Sequence, residues 1–297
     1  MRGCCLALDI GGSFVKISPM GGDCAPLLDK PLQVPVDSTG SADVILGALR
    51  GAAARGQGAA QSLGYTVKTV SVSIPGPFDY FAGVSRMTHK FAAIRGIPLG
   101  PVLGGLPGCE RVVFLHDSTA FMLGECFFGA GRDAVRPVGV MLGTGFGFGV
   151  MQGGRVCVNE RQTPALSLWG RAFRVGITED YVSSRAIRAR YAARKADGGQ
   201  ADVREIAGRA RAGDAAAMEV MAETGALLAE ILAPHLTALR VDRMMLGGQI
   251  ARSADLLLPT LTAGLPVLPS SWSISWRANS SLPVTRRTGT EPDATRS

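Results

Sequence analysis

Two glycine-rich turns carry the residues of this sequence that are best suited to phosphate chemistry. The first turn, DIGGS, spans residues 9–13, and the second, GTGFG, spans residues 143–147. Glycine lets backbone amides approach a polyphosphate without an intervening side chain, and successive N–H groups in a turn form a concave anion site. Neither turn matches GxxxxGK[ST] or opens a helix as GxGxxG would, which excludes P-loop and Rossmann-type sites. Taken alone, either one is also typical of an ordinary hairpin turn.

Polar side chains next to these turns suit a nucleotide phosphate and its metal ion. Asp9 closes an apolar run and stands near Ser13 and Lys16, while Thr144 places a hydroxyl inside the second turn. Magnesium prefers one or two carboxylates together with substrate phosphates. Asp9 is therefore the candidate for orienting a metal-bound water, although capping of the turn is its simpler role.

Asp117 is the candidate general base. It follows the hydrophobic run VVFL and precedes a helical pattern, so its carboxylate is expected at the end of a strand. Transfer of a phosphoryl group to an alcohol needs positioning, charge neutralisation and one group that accepts the hydroxyl proton. The alternative is a helix N-cap. Glycine turns on either side of Asp117 in the sequence favour the catalytic interpretation.

The elements around these residues are predicted to be strands joined by crossover helices. The pattern strand, glycine turn, strand occurs twice, in LALDIGGSFVKIS and in VGVMLGTGFGFGVM. This repetition predicts two related halves facing one cleft. Residues 41–63 have helical spacing, and residues 179–239 are predominantly helical, with Pro234 expected to kink or end one helix.

Length and composition indicate a folded chain with two domains. Its 297 residues, 46% of them hydrophobic, suffice for two separate cores. We expect an N-terminal domain over residues 1–104, a second domain over 105–264 and an atypical tail over 265–297. Proline, serine and arginine without a sustained period predict disorder for about the last twenty residues.

The charge pattern argues against nucleic-acid binding, and the length of the apolar runs argues against a membrane protein. Much of the net charge of +7 comes from residues 185–211 and from the tail. Aromatic residues do not interleave the basic stretch, as a nucleic-acid surface would require, so a solvated helical face is preferred. No apolar run is long enough to cross a bilayer, and no signal peptide precedes the first strand. A cytoplasmic location is expected.

The cysteines and histidines give no sign of a metal cluster. Six cysteines show no CxxC spacing, and the three histidines are far apart in the sequence. No structural zinc is expected.

Five motifs in order resemble the ROK family of sugar kinases and related repressors. They are LALDIGGSFVK, VSIPGPFD, FLHDSTAFMLGE, MLGTGFGFGV and MLGGQIA, and the resemblance runs from about residue 5 to residue 261. It implies an α/β chain with the two-domain actin-like ATPase (ribonuclease H-like) fold and an interdomain cleft. It also implies ATP and Mg²⁺ as cofactors and a hexose-type sugar as substrate. The resemblance is compatible with a homodimer.

The resemblance implies a role for each matching residue. Asp117 is the catalytic base. The nucleotide is held by the first phosphate loop, the second phosphate loop and an adenosine motif, which together comprise Asp9, Gly11, Gly12, Ser13, Lys16, Gly143, Thr144, Gly145, Gly247 and Gly248. The sugar side comprises Gly76, His116, Asp117, Glu160 and Glu179.

The chain departs from the family pattern in three places. His116 stands where the family usually has asparagine. The zinc motif CxCGxxGCxE is missing from the segment before Glu179, so that segment is expected to be held by packing around Trp169 and Tyr181. The C-terminal sequence also lacks the family's usual Gly-Ala-Ala helix.

These observations predict an ATP-dependent sugar kinase that transfers the γ-phosphate to a hexose-type hydroxyl. The departures leave open a degenerate member that binds sugar or nucleotide without turnover. Polyphosphate is an alternative donor, because glycine loops would cradle either compound. A repressor is less favoured, since no DNA-binding module precedes the first strand.

Overall fold

The computed structural model describes residues 1–195, 200–265, 272–276 and 284–287. Within those ranges the helices are α1 (Ala42–Ser62), α2 (Gly100–Gly104), α3 (Asp117–Phe128), α4 (Glu179–Val182), α5 (Ser184–Arg194), α6 (Val203–Arg211), α7 (Ala215–Ala238) and α8 (Ala254–Gly264). The strands are β1 (Arg2–Ile10), β2 (Phe14–Met20), β3 (Leu32–Pro35), β4 (Tyr65–Ile74), β5 (Phe78–Asp79), β6 (Val84–Ser85), β7 (Arg111–His116), β8 (Pro137–Leu142), β9 (Phe146–Gln152), β10 (Arg155–Val156), β11 (Ala172–Phe173), β12 (Gly176–Ile177), β13 (Arg243–Gly247), β14 (Ser273–Trp276) and β15 (Val284–Arg287).

The chain divides into two compact units. The N-terminal unit comprises Met1–Ala120 with Val158–Thr163, and the C-terminal unit comprises Phe121–Cys157 with Pro164–Ser297. Each unit has its own hydrophobic core. The boundary after residue 104, which was predicted to separate two domains, stays a prediction.

The N-terminal unit is built on a five-stranded mixed sheet in the order β3-β2-β1-β4-β7. β1 pairs antiparallel with β2 and parallel with β4, and β4 pairs parallel with β7. The first glycine turn connects β1 to β2, as the sequence predicts. At the edge of the same sheet, beside β4, strand β7 ends at His116, so the chain delivers Asp117 to the carboxyl end of a parallel strand.

Helix α1 is the crossover between β3 and β4. The hydroxyl of Ser41 caps its first turn by accepting from the N–H of Val44 at 3.4 Å. Gly56 allows the helix to close on the sheet, because a Cβ there would come within 2.5 Å of Leu6 and 2.7 Å of Ile17. The predicted helix over residues 41–63 is thus confirmed, with its apolar face buried.

The C-terminal unit repeats this arrangement. Its six-stranded sheet has the order β10-β9-β8-β13-β14-β15, in which β8 pairs antiparallel with β9 and parallel with β13. The second glycine turn connects β8 to β9, just as the first connects β1 to β2. The two strand, glycine turn, strand motifs therefore occupy the same place in two similar sheets.

Helices α5 to α8 supply much of the core of the C-terminal unit. In α7, for example, Leu228 and Leu232 are fully buried. Pro234 lies inside α7, which continues to Ala238, so this proline does not end the helix, and the expected kink stays a prediction. No helix among the described residues is long and apolar enough to span a membrane.

The tail contributes two strands within the described ranges. β14 pairs parallel with β13, and β15 pairs antiparallel with β14. Val284–Arg287 belongs to the stretch for which the composition predicts disorder, yet it forms a strand. The other residues of that predicted disordered stretch, 278–283 and 288–297, lie outside the described residues.

Candidate active site

The first glycine turn presents unpaired backbone donors. The N–H of Gly11 donates to the carbonyl of Phe14 at 2.9 Å, which closes the turn between β1 and β2. Within the described ranges, no acceptor lies opposite the N–H groups of Gly12 and Ser13. The turn therefore offers two adjacent donors to an anion, as expected of a phosphate loop.

Asp9 and Lys16 face each other across this hairpin. They are paired in register, and Nζ of Lys16 donates to Oδ2 of Asp9 at 3.2 Å. Their side chains are 54% and 55% exposed, so solvent screens the pair and it contributes little to stability. Both charges are consequently accessible to a phosphate and its counter-ion.

Asp117 begins α3 directly after β7, and its neighbours fix its carboxylate. The N–H of Ser118 donates to Oδ1 at 2.7 Å, and Nδ1 of His116 lies 2.8 Å from the same oxygen. Burial acts to raise the pKa of Asp117, but the hydrogen bond and charge of His116, the Ser118 N–H and the charge of Lys90 outweigh it. The pKa is therefore below its usual value, and the carboxylate is ionised at neutral pH with 38% of the side chain exposed.

Gly76 and Tyr80 border His116. The aromatic rings of Tyr80 and His116 meet edge to face at 5.7 Å, and the Tyr80 hydroxyl donates to the carbonyl of Ile74 at 3.0 Å. A Cβ on Gly76 would lie 3.7 Å from Cδ2 of His116. The structure thus brings Gly76, His116 and Asp117 together, and it adds Tyr80, for which the sequence alone gives no signal.

The second glycine turn is held by residues at the starts of α4 and α5. Oε2 of Glu179, at the start of α4, accepts from the N–H of Phe146 at 3.0 Å. The N–H and the hydroxyl of Ser184, at the start of α5, each donate to the carbonyl of Gly143 at 2.8 Å. Two short helices therefore anchor both ends of the turn, a role for Ser184 that sequence reasoning missed.

The middle of this turn remains open. Among the described residues, the N–H groups of Thr144 and Gly145 meet no acceptor, and a Cβ on Gly143 would meet nothing within 4 Å. The turn therefore presents donors as the first one does.

Gly247 and Gly248 pack beside the second turn. Gly248 has a φ of 85°, and a Cβ on it would collide with the carbonyl of Leu142, the residue before Gly143. A Cβ on Gly247 would come within 2.5 Å of the ring of Phe121. Glycine is needed at both positions so that the end of β13 can approach the end of β8.

Of the two aromatic residues expected to hold together the segment around Glu179, Tyr181 packs against a neighbour and Trp169 does not. Tyr181 does pack, with its ring edge-on to Phe173 at 5.0 Å. The expected packing around Trp169 is wrong, because its side chain is 52% exposed and the neighbouring Leu168 takes the buried position. The segment is joined by backbone bonds instead, such as the N–H of Glu179 to the carbonyl of Trp169 at 3.0 Å.

Glu160 belongs to the N-terminal unit. It is exposed, in a turn where Oδ1 of Asn159 accepts from the N–H groups of Arg161 and Thr163. Its assignment as a sugar contact stays a prediction.

The donor groups suit a nucleotide more than a resident metal. Within the described parts of the chain, no cluster of three or more His, Cys, Asp or Glu side chains could hold a metal ion. Paired N–H donors in both turns fit phosphate oxygens, and Asp9 is an exposed carboxylate beside the first turn. This combination fits Mg²⁺ carried in with phosphates, which needs few protein ligands.

The sequence profile of the ROK family matches residues 5–161 and 174–267. The chain belongs to the ROK family. A glucokinase from Thermotoga maritima is 27% identical over 213 residues, which cover 65% of this chain and 67% of that protein. ROK proteins of solved structure show that the α/β fold of this chain is the actin-like ATPase fold of the family.

Two solved ROK structures illustrate the range of proteins that share the fold. A ROK transcriptional regulator, described as a homologue of the E. coli MLC protein, superposes with a TM-score of 0.77 at 20% identity. The match covers 89% of this chain and 70% of the regulator. A ROK glucokinase from Streptomyces griseus, in complex with glucose and AMPPNP, gives 0.72 at 22% identity, covering 88% of each chain. Both kinases and regulators are thus built on this fold.

Proposed function

We propose that this ROK protein is an ATP-dependent sugar kinase that transfers the γ-phosphate to a hexose-type hydroxyl. The observation that carries the proposal is the ionised carboxylate of Asp117, held at the end of β7 by Ser118 and His116. The similarity to a glucokinase, and the glucose and AMPPNP bound to the Streptomyces protein, support the choice of donor and acceptor.

Asp117 acts as the general base. Its Oδ1 is occupied by the Ser118 N–H and by His116, so Oδ2 is the oxygen left to accept the proton of the sugar hydroxyl. A carboxylate that stays ionised at neutral pH is ready for this step. Proton removal generates the nucleophile as the phosphoryl group transfers.

Both glycine turns hold the donor in this proposal. Gly11, Gly12 and Ser13 bind phosphate oxygens through the first turn, assisted by Lys16. Gly143, Thr144 and Gly145 do so through the second, with Gly247 and Gly248 lining the adenosine site. Asp9 would help to hold a Mg²⁺ ion bound together with ATP, and that ion would neutralise part of the phosphate charge.

Gly76, His116, Glu160 and Glu179 are the proposed sugar-side residues. Glu179 has a second role, since Oε2 is bound to Phe146 and Oε1 is the oxygen available to a hydroxyl. We also propose that the protein acts in the cytoplasm, binds no nucleic acid and can form a homodimer.

A coupled assay with a panel of hexoses, each offered ATP or polyphosphate, tests the proposal. Turnover of at least one hexose with ATP is expected, whereas turnover with polyphosphate alone would revise the donor. The second candidate, a sugar- or nucleotide-binding protein without activity, is favoured by His116 and by the likeness to a regulator. Calorimetric binding of a sugar with no turnover for any pair would establish that alternative.

A further inference from the structure

We infer that the hydroxyl of Ser38 is a third donor of the first glycine turn and that it binds the terminal phosphate of the donor, the one that is transferred. The inference rests on the proposed function and deepens it, because it adds a residue to the donor site. Ser38 lies outside both glycine turns and outside the five sequence motifs.

The side chain of Ser38 faces the first glycine turn. A Cβ on Gly12 would lie 3.6 Å from Oγ of Ser38, and it would meet no other described atom within 4 Å. The space between Gly12 and the hydroxyl is therefore open, and glycine keeps it open. The N–H groups of Gly12 and Ser13 have no acceptor within the described ranges. A phosphate oxygen bound by these two groups consequently lies close to the Ser38 hydroxyl.

This hydroxyl is available to a ligand. The Ser38 side chain is half-buried, and in the part of the chain that the structure describes no hydrogen bond engages its Oγ. Its neighbours are occupied, since the hydroxyl of Thr39 donates to Oδ1 of Asp37 at 2.7 Å and that of Ser41 caps α1. A hydroxyl can donate, so Ser38 together with two unpaired N–H groups makes a set of three donors for an anion.

Backbone hydrogen bonds on either side of the hydroxyl hold Ser38 in this place. The N–H of Val36 donates to the carbonyl of Ser13 at 2.9 Å, which ties the segment to the glycine turn. The carbonyl of Ser38 accepts from the N–H of Phe91 at 2.6 Å. The hydroxyl is thus positioned before a ligand arrives, which reduces the entropic cost of binding. Neither bond uses the Ser38 side chain, so a substitution there leaves both in place.

The contact with Phe91 indicates which phosphate Ser38 meets. Phe91 is fully buried and has a left-handed backbone with a φ of 54°, so it turns the chain directly after Lys90. The charge of Lys90 is one cause of the low pKa of Asp117, which places this loop near the base. Ser38 therefore connects the glycine turn to the loop beside Asp117. Because the phosphoryl group passes from the donor to a hydroxyl at the base, the phosphate on this side of the turn is the terminal one.

Nucleotide binding measured by calorimetry tests the inference without turnover. Ser38→Ala removes the hydroxyl and Ser38→Thr keeps one. Ser62→Ala is the matched control, since the exposed hydroxyl of Ser62 donates to the carbonyl of Ala59 at the end of α1. Ser38→Ala is expected to bind AMPPNP about 10–100-fold more weakly, because a hydrogen bond to a charged phosphate is lost. ADP lacks the terminal phosphate and should bind Ser38→Ala as it binds the wild type.

The other variants sharpen the result. Ser38→Thr is expected to recover most of the AMPPNP affinity, and Ser62→Ala should bind both nucleotides like the wild type. Ser38→Cys keeps the size of the side chain but has a much weaker donor, so it should show the same selective loss as Ser38→Ala. Thermal melts establish which variants are folded. Unchanged AMPPNP affinity in folded Ser38→Ala or Ser38→Cys would overturn the inference, and equal losses for AMPPNP and ADP would overturn the assignment to the terminal phosphate.

Inorganic tripolyphosphate separates a failure of the inference from a failure of the proposed donor. If the wild type and Ser38→Ala bind AMPPNP equally well, the inference fails while ATP remains the proposed donor. If the wild type binds tripolyphosphate but not AMPPNP, the proposed donor fails, and weaker tripolyphosphate binding by Ser38→Ala still supports the role of Ser38. Binding of neither compound by the wild type would contradict both.

Discussion

The carboxylate of Glu179 accepts a hydrogen bond from the backbone N–H of Phe146 at 3.0 Å. A residue that family resemblance places against the sugar thereby anchors the end of the second glycine turn. Ser184 anchors the other end through the carbonyl of Gly143. In this chain the starts of α4 and α5 together hold both ends of the second glycine turn.

Replacement of Glu179 by alanine is predicted to weaken nucleotide binding. Loss of a hydrogen bond to a charged acceptor costs about 1.5–3 kcal/mol, equivalent to roughly 10–100-fold in the dissociation constant if the whole loss appears in binding. Calorimetry with AMPPNP measures it. Glu179→Gln retains an acceptor oxygen and should recover most of the affinity, whereas unchanged affinity in the alanine variant would show that the anchor is dispensable.

Gly248→Ala is predicted to destabilise the C-terminal unit. The new Cβ meets the Leu142 carbonyl, and the backbone has a φ of 85°, so strain and collision add to more than about 2 kcal/mol. Urea unfolding measures the loss. Gly208→Ala in α6 is the control, since its Cβ meets nothing within 4 Å and alanine should stabilise an exposed helix position by up to about 1 kcal/mol. Equal effects of the two changes would refute the packing argument.

The ion pair between Arg211 and Asp255 is predicted to give a pH-dependent contribution to stability. Two hydrogen bonds from Arg211, of 2.9 and 2.7 Å, lower the pKa of the Asp255 carboxyl from its ordinary value of 3.8. The stabilisation is therefore present above the pKa of Asp255 in the unfolded chain, and it is lost as the pH falls through the pKa in the folded protein. Both side chains are about half exposed, which limits the effect to less than about 1 kcal/mol.

Unfolding of wild type and Asp255→Asn at several pH values checks this contribution. The difference in free energy of unfolding should be present at pH 7, shrink in strong acid and weaken in high salt. A difference that is constant from pH 7 to pH 2 would mean that the effect of Asp255 is not electrostatic.

Lys16→Ala is predicted to weaken ATP binding about tenfold and to reduce its salt dependence, because an exposed cation beside the first glycine turn is lost. Lys68→Ala provides the matched control, since Lys68 also forms an exposed pair, with Glu110 at 2.8 Å, in the same sheet. Titration with ATP at low and high salt compares them. An equal loss in both variants would indicate a general effect of charge and remove Lys16 from the site.

Local pattern was enough to predict the hairpins around both glycine turns and helix α1. Each of these elements depends on residues that are close together in the sequence. In α1, for example, the Ser41 hydroxyl caps the helix by accepting from the N–H of Val44. Asp117 was also predictable, because a strand end followed by a helix start places a side chain at the edge of a sheet. The repeated strand order in the two units follows from the same pattern.

Contacts between distant residues could not be predicted from that pattern. Glu179 and Phe146 are 33 positions apart, and Gly248 approaches Leu142 only because β13 pairs with β8. The helical course through Pro234 likewise depends on burial of α7 in the core, which overrides the local preference of proline. These features are set by strand register and by packing between residues that are far apart in the sequence. The local spacing of residues encodes neither.

The most direct test of the account is phosphorylation by folded Asp117→Ala and Asp117→Asn variants, compared with the wild type on the hexose that it uses best. Both variants lack a carboxylate to accept the hydroxyl proton, so kcat should fall at least 100-fold while calorimetry still detects AMPPNP binding. Turnover within a few-fold of the wild type in either variant would contradict Asp117 as the general base.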